Sequence, residues 1–271
     1  MANGTKNSLI SIQFVSLISI SPRIKRTLWN KWYNLLARND SQGLLASMNY
    51  GYIDNTNVST IEYTSPQLAL YERVLGNTNI NNKRVIEIGS GRGAGAAFLA
   101  GKFKPELYIG MDLAINASLN SVTPDNVSSL RFVSGDALAI PIKPKSIDIV
   151  INIESSHCYG NLAEFIKQVS GLLVNNGYFC YCDLMPPSQI KQLHQYFESH
   201  QMVVTESIDI TENIIASLDS TSVENSEKIK THIPWYLRKA FADFAGIQNT
   251  GVYNLFKSGK LVYYAFLVKK I

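Results

Sequence analysis

Residues 84–95 read Arg-Val-Ile-Glu-Ile-Gly-Ser-Gly-Arg-Gly-Ala-Gly. A short apolar run carrying Glu87 leads into glycine at every second position, and Ala-rich sequence follows. The pattern predicts a buried strand, a tight loop and the start of a helix. Glycine allows positive φ and lets a ligand approach bare main chain. The helix start behind the loop adds unpaired N–H groups and the positive end of a dipole.

Working outward, strand and helix patterns alternate. Strands are expected at residues 85–88, 107–111, 130–133, 147–153 and 178–182, with helices at 94–102, 113–120 and 161–174. The third of these helices is amphipathic, with Leu162, Phe165, Ile166, Val169 and Leu172 on one face and Gly177 suited to its stop. Such alternation implies a parallel sheet wrapped by helices. A helix at 190–200, a strand at 202–210, helical sequence at 211–246 and a last strand at 261–268 complete the chain. The expected fold is α/β: a Rossmann-like, seven-stranded, mostly parallel sheet with an antiparallel last strand, in a three-layer sandwich with a helical cap. Ligands bind beyond the C-terminal strand ends of such sheets. That singles out residues 89–95, Asp112, Asp136, residues 154–159 and Asp183.

Upstream, residues 1–22 are apolar but interrupted by Ser11, Gln13, Ser16 and Ser19. The stretch is too short and broken to span a bilayer, and Gln13 and Pro22 spoil a signal peptide. It reads as a packing arm or as a lid touching a lipid-like substrate, with peripheral membrane contact through it. Residues 22–39 are basic and aromatic at helical spacing, and residues 66–75 form a helix stopped by Gly76. The organisation is an N-terminal arm and cap helices over residues 1–78, then a main domain over 79–271 with a cap insertion at about 211–250.

The composition is that of a globular protein. The 271 residues are 46% hydrophobic and 17% charged, so a core is available. A net charge of +4 with no dense basic cluster does not indicate nucleic acid. Three cysteines make no disulfide framework and favour a reducing, cytoplasmic setting. Cys180 and Cys182 read as core, and no metal-ligand cluster stands out. Oligomeric state is not readable from the sequence.

Two ligand classes use a glycine loop followed by an acid. Gly89-Ser90-Gly91-Arg92-Gly93-Ala94 satisfies the dinucleotide pattern. However, Glu87 would set negative charge near a pyrophosphate, and a second mononucleotide half is missing. S-adenosylmethionine has no phosphate, and its cationic end tolerates Glu87. Asp112 suits the ribose hydroxyls, since a carboxylate has two acceptor oxygens. Gly135-Asp136-Ala137 suits the adenine. Expected cofactor residues are Glu87, Gly89, Ser90, Gly91, Gly93, Asp112, Leu113, Asp136, Ala137 and Ile153. The array, closed by the apolar strand carrying Asp148, resembles the class I methyltransferases over residues 83–183.

A closer resemblance begins at Asn152-Ile153-Glu154-Ser155-Ser156-His157-Cys158-Tyr159. With residues 29–33, 49–52, His232-Ile233-Pro234 through Leu237-Arg238, residues 244–250 and 259–263, it is similar to the phthiotriolone and phenolphthiotriolone dimycocerosate methyltransferases. Those are related to fatty-acid O-methyltransferases. The resemblance implies methylation of a hydroxyl on a lipid- or polyketide-like small molecule. Carboxyl or carbon methylation and a non-catalytic binding module are the alternatives. Gly160 stands where the family favours proline, and the arm and residues 54–66 differ, so the acceptor does not carry over.

A hydroxyl is a poor nucleophile until its proton leaves, and a base at the mouth of the fourth strand suits that need. His157 fits, with Glu154 nearby to raise its basicity; structural hydrogen bonding is the other reading. His232 in the cap is either over the pocket or a helix-end hydrogen bonder. Tyr159, Trp235 and Tyr236 are candidate acceptor contacts, or packing. His194 and His200 read as surface residues.

Overall fold

The computed structural model describes residues 49–54, 65–113 and 127–271. The expected N-terminal arm, the helix in residues 22–39 and nearly all of the helix expected at 113–120 lie outside the described residues.

Helix α1 (Pro66–Leu75) starts at Ser65, whose hydroxyl accepts from the Leu68 N–H, with Pro66 in the first turn. The alternation then begins: β1 (Arg84–Ile88), α2 (Ala94–Lys102), β2 (Leu107–Asp112), β3 (Leu130–Ser134) and β4 (Ile147–Ile153). A single 3-10 turn, Ser156–Cys158, leads to α3 (Leu162–Leu172) and β5 (Leu173–Met185). Next come α4 (Pro187–Ser199), β6 (Met202–Asp209), α5 (Thr211–His232), α6 (Arg238–Phe244), α7 (Gly251–Lys257) and β7 (Val262–Lys270).

The sheet has seven strands in the order β3-β2-β1-β4-β5-β7-β6. All neighbours are parallel except that β7 runs against both β5 and β6. Order reverses between β1 and β4, which opens a crevice at their C-terminal ends. Two apolar layers cover the sheet. One holds Leu70, Leu99, Tyr108 and Ile214 from α1, α2, β2 and α5. The other holds Phe165, Phe179, Phe197 and Phe266 from α3, β5, α4 and β7. Among the described residues no helix is long and apolar enough to cross a membrane.

One boundary differs from expectation. Helix α3 stops at Leu172, because Leu173 turns extended (φ −68°, ψ 137°) and begins β5. Gly177 is therefore no helix stop. It lies at an irregularity where the pairing jumps from Ile147–Leu173 to Ile149–Tyr178. A Cβ on Gly177 would stand 2.8 Å from the Asp148 carbonyl, so glycine permits the strands to close there.

Asp148 also leaves the site. It accepts from the Arg84 backbone N–H (2.8 Å) and from Arg84 Nε (3.1 Å), at the end of the sheet away from the crevice.

Candidate functional site

The glycine loop is built from the main chain. Gly89 and Ser90 N–H groups donate to the Met111 carbonyl, and the Gly91 N–H donates to Asp112 Oδ2 at 2.9 Å. Gly89 (φ +79°) and Gly93 (φ +82°) take left-handed conformations that side chains resist. A Cβ on Gly89 would stand 2.3 Å from Ser155 Oγ and 2.7 Å from the Tyr159 hydroxyl. A Cβ on Gly93 would enter the Phe132 ring. The start of α2 behind the loop has no side-chain cap.

Glu87 sits differently from expectation. It is 1% exposed. Tyr71 of α1 donates to one carboxylate oxygen (2.8 Å) and Tyr108 of β2 to the other (2.9 Å). Burial raises its pKa to about 7, against the pull of these phenols. The carboxyl therefore clamps α1 and β2 beneath the loop; it is not presented at the loop's open face.

Asp112 ends β2 with one oxygen already on the loop, and the next residue, Leu113, leaves 39% of its surface exposed. Asp136 closes its own turn: Oδ1 accepts from the Leu138 N–H at 3.0 Å. Ala137 and Ile153 are buried.

Two buried polar atoms flank the loop without a partner, Ser90 Oγ and Asn152 Oδ1. Asn152 is wholly buried, and its Nδ2 lies within hydrogen-bond distance of the Ile88 carbonyl, Ser155 Oγ and the Tyr159 hydroxyl. Ser155 and Tyr159 are 2.8 Å apart, and the Tyr159 ring packs edge-on against Phe165. The phenol is thereby fixed over Gly89. A buried polar atom without a partner carries a desolvation cost, which a polar ligand in the crevice would relieve.

The 3-10 turn carries the titratable centre. His157 Nδ1 is 2.7 Å from Asp183 Oδ1, and the His157 backbone N–H donates to Asp183 Oδ2. Asp183 also accepts from Ser156 Oγ (2.6 Å) and the Leu184 N–H (2.8 Å), so this fully buried carboxylate is saturated with donors. Burial pulls the His157 pKa down, but the neighbouring Cys158 thiol and Asp183 outweigh it and hold it well above its ordinary value. The carboxylate fixes the ring and, in the neutral form, holds the proton on Nδ1, while the Cys158 thiol also bonds the ring.

The hydrogen-bond partner of His157 is Asp183, while Glu154, expected nearby, feels the histidine through charge. Glu154 (φ +49°) instead accepts on Oε2 from the Tyr50 N–H and the Tyr263 hydroxyl, both at 2.9 Å. Burial lifts its pKa to about 8. The residues around Tyr50 form a strap. The Tyr50 carbonyl accepts from Ser217 of α5, its hydroxyl donates to the Phe244 carbonyl, and Asn213 donates to the Ile53 carbonyl. Strand end, strap and cap are one connected piece.

The cap residues fall elsewhere. His232 is exposed at the end of α5. Trp235 and Tyr236 are 79% and 67% exposed and pack edge-on against each other. No described hydrogen bond or ring contact joins these three to the strand-end cluster. His194 packs against Phe266 and His200 bonds the Tyr196 carbonyl, so both are half-buried, not simple surface residues. Cys180 and Cys182 are buried free thiols of the core.

Comparison with known proteins agrees with this layout. Residues 86–181 match the Methyltransferase domain family. The chain is 27% identical over 243 residues to the phthiotriol/phenolphthiotriol dimycocerosates methyltransferase of Mycobacterium leprae, covering 88% of this chain and 90% of that one. It is 34% identical over 150 residues to the fatty-acid O-methyltransferase of Mycolicibacterium smegmatis, covering 54% and 55%. Among solved structures, the [4+2]-cyclase SpnF superposes with a TM-score of 0.72 at 14% identity, covering 92% of this chain and 96% of that one. That likeness speaks for the fold alone.

Proposed function

We propose that this chain, which is an S-adenosylmethionine-dependent methyltransferase, methylates a hydroxyl group on a lipid- or polyketide-like small molecule. The observation that carries the reading is the His157–Asp183 pair at the mouth of β4 and β5. An alcohol must lose its proton to attack, and an oriented imidazole at a strand end suits that task. The names of the relatives support a lipid-like acceptor.

When bound, S-adenosylmethionine supplies an activated methyl group on a sulfonium. The residues that would hold it are Gly89, Ser90 and Gly91 of the loop, Asp112 and Leu113 after β2, and Asp136 and Ala137 after β3. Ser90 Oγ and Asn152 Oδ1 fit a polar ligand, since each needs a partner. Asp112, whose Oδ2 accepts from the Gly91 N–H, stands where the ribose hydroxyls would meet the end of β2. His157 Nε2 would take the proton of the acceptor hydroxyl, which enters in competition with the Cys158 thiol bonded to the same ring. Asp183 then stabilises the imidazolium without taking the proton itself. Glu154 and the Tyr50 strap fix the β4 end against the cap. Tyr159, fixed over Gly89, contacts the acceptor side of the crevice.

The test is labelled methyl donor with two acceptors, a long-chain alcohol and the fatty acid of equal length. Methylated alcohol in the wild type and its loss in His157→Ala are expected. A carboxylate needs no base. Methylation of the acid alone, untouched in His157→Ala, would move the reaction to carboxyl transfer.

A further inference from the structure

The run His232-Ile233-Pro234-Trp235-Tyr236-Leu237-Arg238 joins α5 to α6, and its two large aromatic residues are exposed. The Leu237 N–H donates to the Pro234 carbonyl at 2.9 Å, closing a tight turn with Trp235 and Tyr236 at its two central positions. Arg238 Nε donates to the Ile233 carbonyl, also at 2.9 Å, and locks the turn from behind. Beneath it Ile233 and Phe241 are buried, with Ile229, Leu237 and Phe244 packed around them. Apolar residues that need a core have one. Trp235 and Tyr236 are held outward by the same turn at 79% and 67% exposure. Turn tips are ordinarily polar, so a rigid tip carrying two large rings marks a contact surface.

The charge of the segment selects the partner. Residues 228–239 contain Lys228, Lys230, Arg238 and Lys239 and no acidic residue. Lys228 and Lys230 pair back along α5 with Glu224 and Glu227, while Lys239 is exposed beside the tip. Tryptophan and tyrosine with flanking basic residues match a membrane–water interface, where the rings enter the headgroup region and the cations meet anionic lipid. We propose that the Pro234–Lys239 tip of the cap docks the protein on an anionic lipid surface. This goes beyond the methyl-transfer reading and does not depend on which acceptor is used.

The test is sedimentation of the full chain with vesicles of phosphatidylcholine alone and of phosphatidylcholine mixed with phosphatidylglycerol. Wild type is expected in the pellet with the mixed vesicles only. The double variant Trp235→Ala/Tyr236→Ala should partition at least about tenfold less, and Lys239→Glu about fivefold less. Thermal unfolding and calorimetric binding of S-adenosylmethionine should match wild type in both, which separates docking from misfolding. Wild type that stays in solution with both vesicles would overturn the proposal. So would a double variant that pellets like wild type, which would place the contact elsewhere. Self-association by ultracentrifugation that the double variant abolishes, without vesicle binding, would make the tip an interface between two copies and overturn it equally.

Discussion

His157 touches both oxygens of one carboxylate: its Nδ1 lies 2.7 Å from Asp183 Oδ1, and its own backbone N–H donates to Asp183 Oδ2. Ring and main chain are thus held by a single buried group: rotating the imidazole breaks the Nδ1 bond, and shifting the turn breaks both. His157→Ala should lower turnover on an alcohol by about 10²–10⁴-fold, with donor affinity unchanged by calorimetry. Because His157 must be neutral to act as a base and its pKa is held high, kcat/KM should rise with pH well beyond neutrality. In Asp183→Asn the rise should begin at lower pH. An unmoved profile in that variant would break the assignment.

Glu87 makes stability depend on pH. Its folded pKa of about 7 lies above the ordinary 4.5, so between those values the folded chain keeps a proton that the unfolded chain has released. The resulting stabilisation is full below about pH 4.5 and is lost as pH rises through about 7. Glu154, raised to about 8, acts in the same direction. Chemical denaturation from pH 6 to 9 should show wild type losing stability faster than Glu87→Gln, with a difference of about 1–3 kcal/mol at the upper end. Parallel curves would count against a buried proton on Glu87.

Gly89→Ala meets Ser155 Oγ at 2.3 Å in a backbone conformation of φ +79°. Either the loop or the Ser155–Tyr159 pair must move. Strain of about 1–3 kcal/mol is expected, read as a lower melting temperature, together with a donor affinity reduced by about tenfold or more. Wild-type affinity in a folded variant would show that the loop main chain is not part of the donor site.

Tyr159→Phe removes the phenol from its bonds to Ser155 and Asn152 while keeping the ring against Phe165. The fold should lose about 1 kcal/mol. On the proposed acceptor role of the ring, turnover should fall more than donor affinity. Asn152→Ala should behave oppositely, costing more stability because its Nδ2 bonds the Ile88 carbonyl at 2.7 Å. Equal melting temperatures for the two variants would argue against that ordering.

The strand-and-helix frame was readable because its signals are local: apolar runs of fixed length, a glycine loop and acids at strand ends. Among the described strands β7 runs against its neighbours; its apolar run is a local signal, but its direction is not, and follows from likeness to a known fold. Errors arose where a local sign had a distant cause. Gly177 resembles a helix stop, but it answers the close approach of the Asp148 carbonyl on another strand. Glu87 resembles a ligand group until two phenols from residues 71 and 108 occupy it. Asp183 stood out by its place at a strand end, but its bond to His157 spans 26 residues of sequence. Glu154 is nearer to His157 in sequence and meets it through charge. Asn152 carried no sequence signal, since an asparagine in an apolar strand reads alike whether or not its amide is paired. Trp235 and Tyr236 have the composition of pocket residues, and their exposure at the Pro234 turn is not legible in the sequence.

The strap at Tyr50 has a consequence in time. Its hydroxyl bonds a carbonyl 194 residues later, and the acid that accepts its N–H also needs a phenol from the last strand, 109 residues beyond that acid. Contacts of such sequence separation form late. The glycine loop closes from residues near one another in sequence, whereas Glu154 and Tyr50 gain their full set of partners only once Phe244 and Tyr263 are in place.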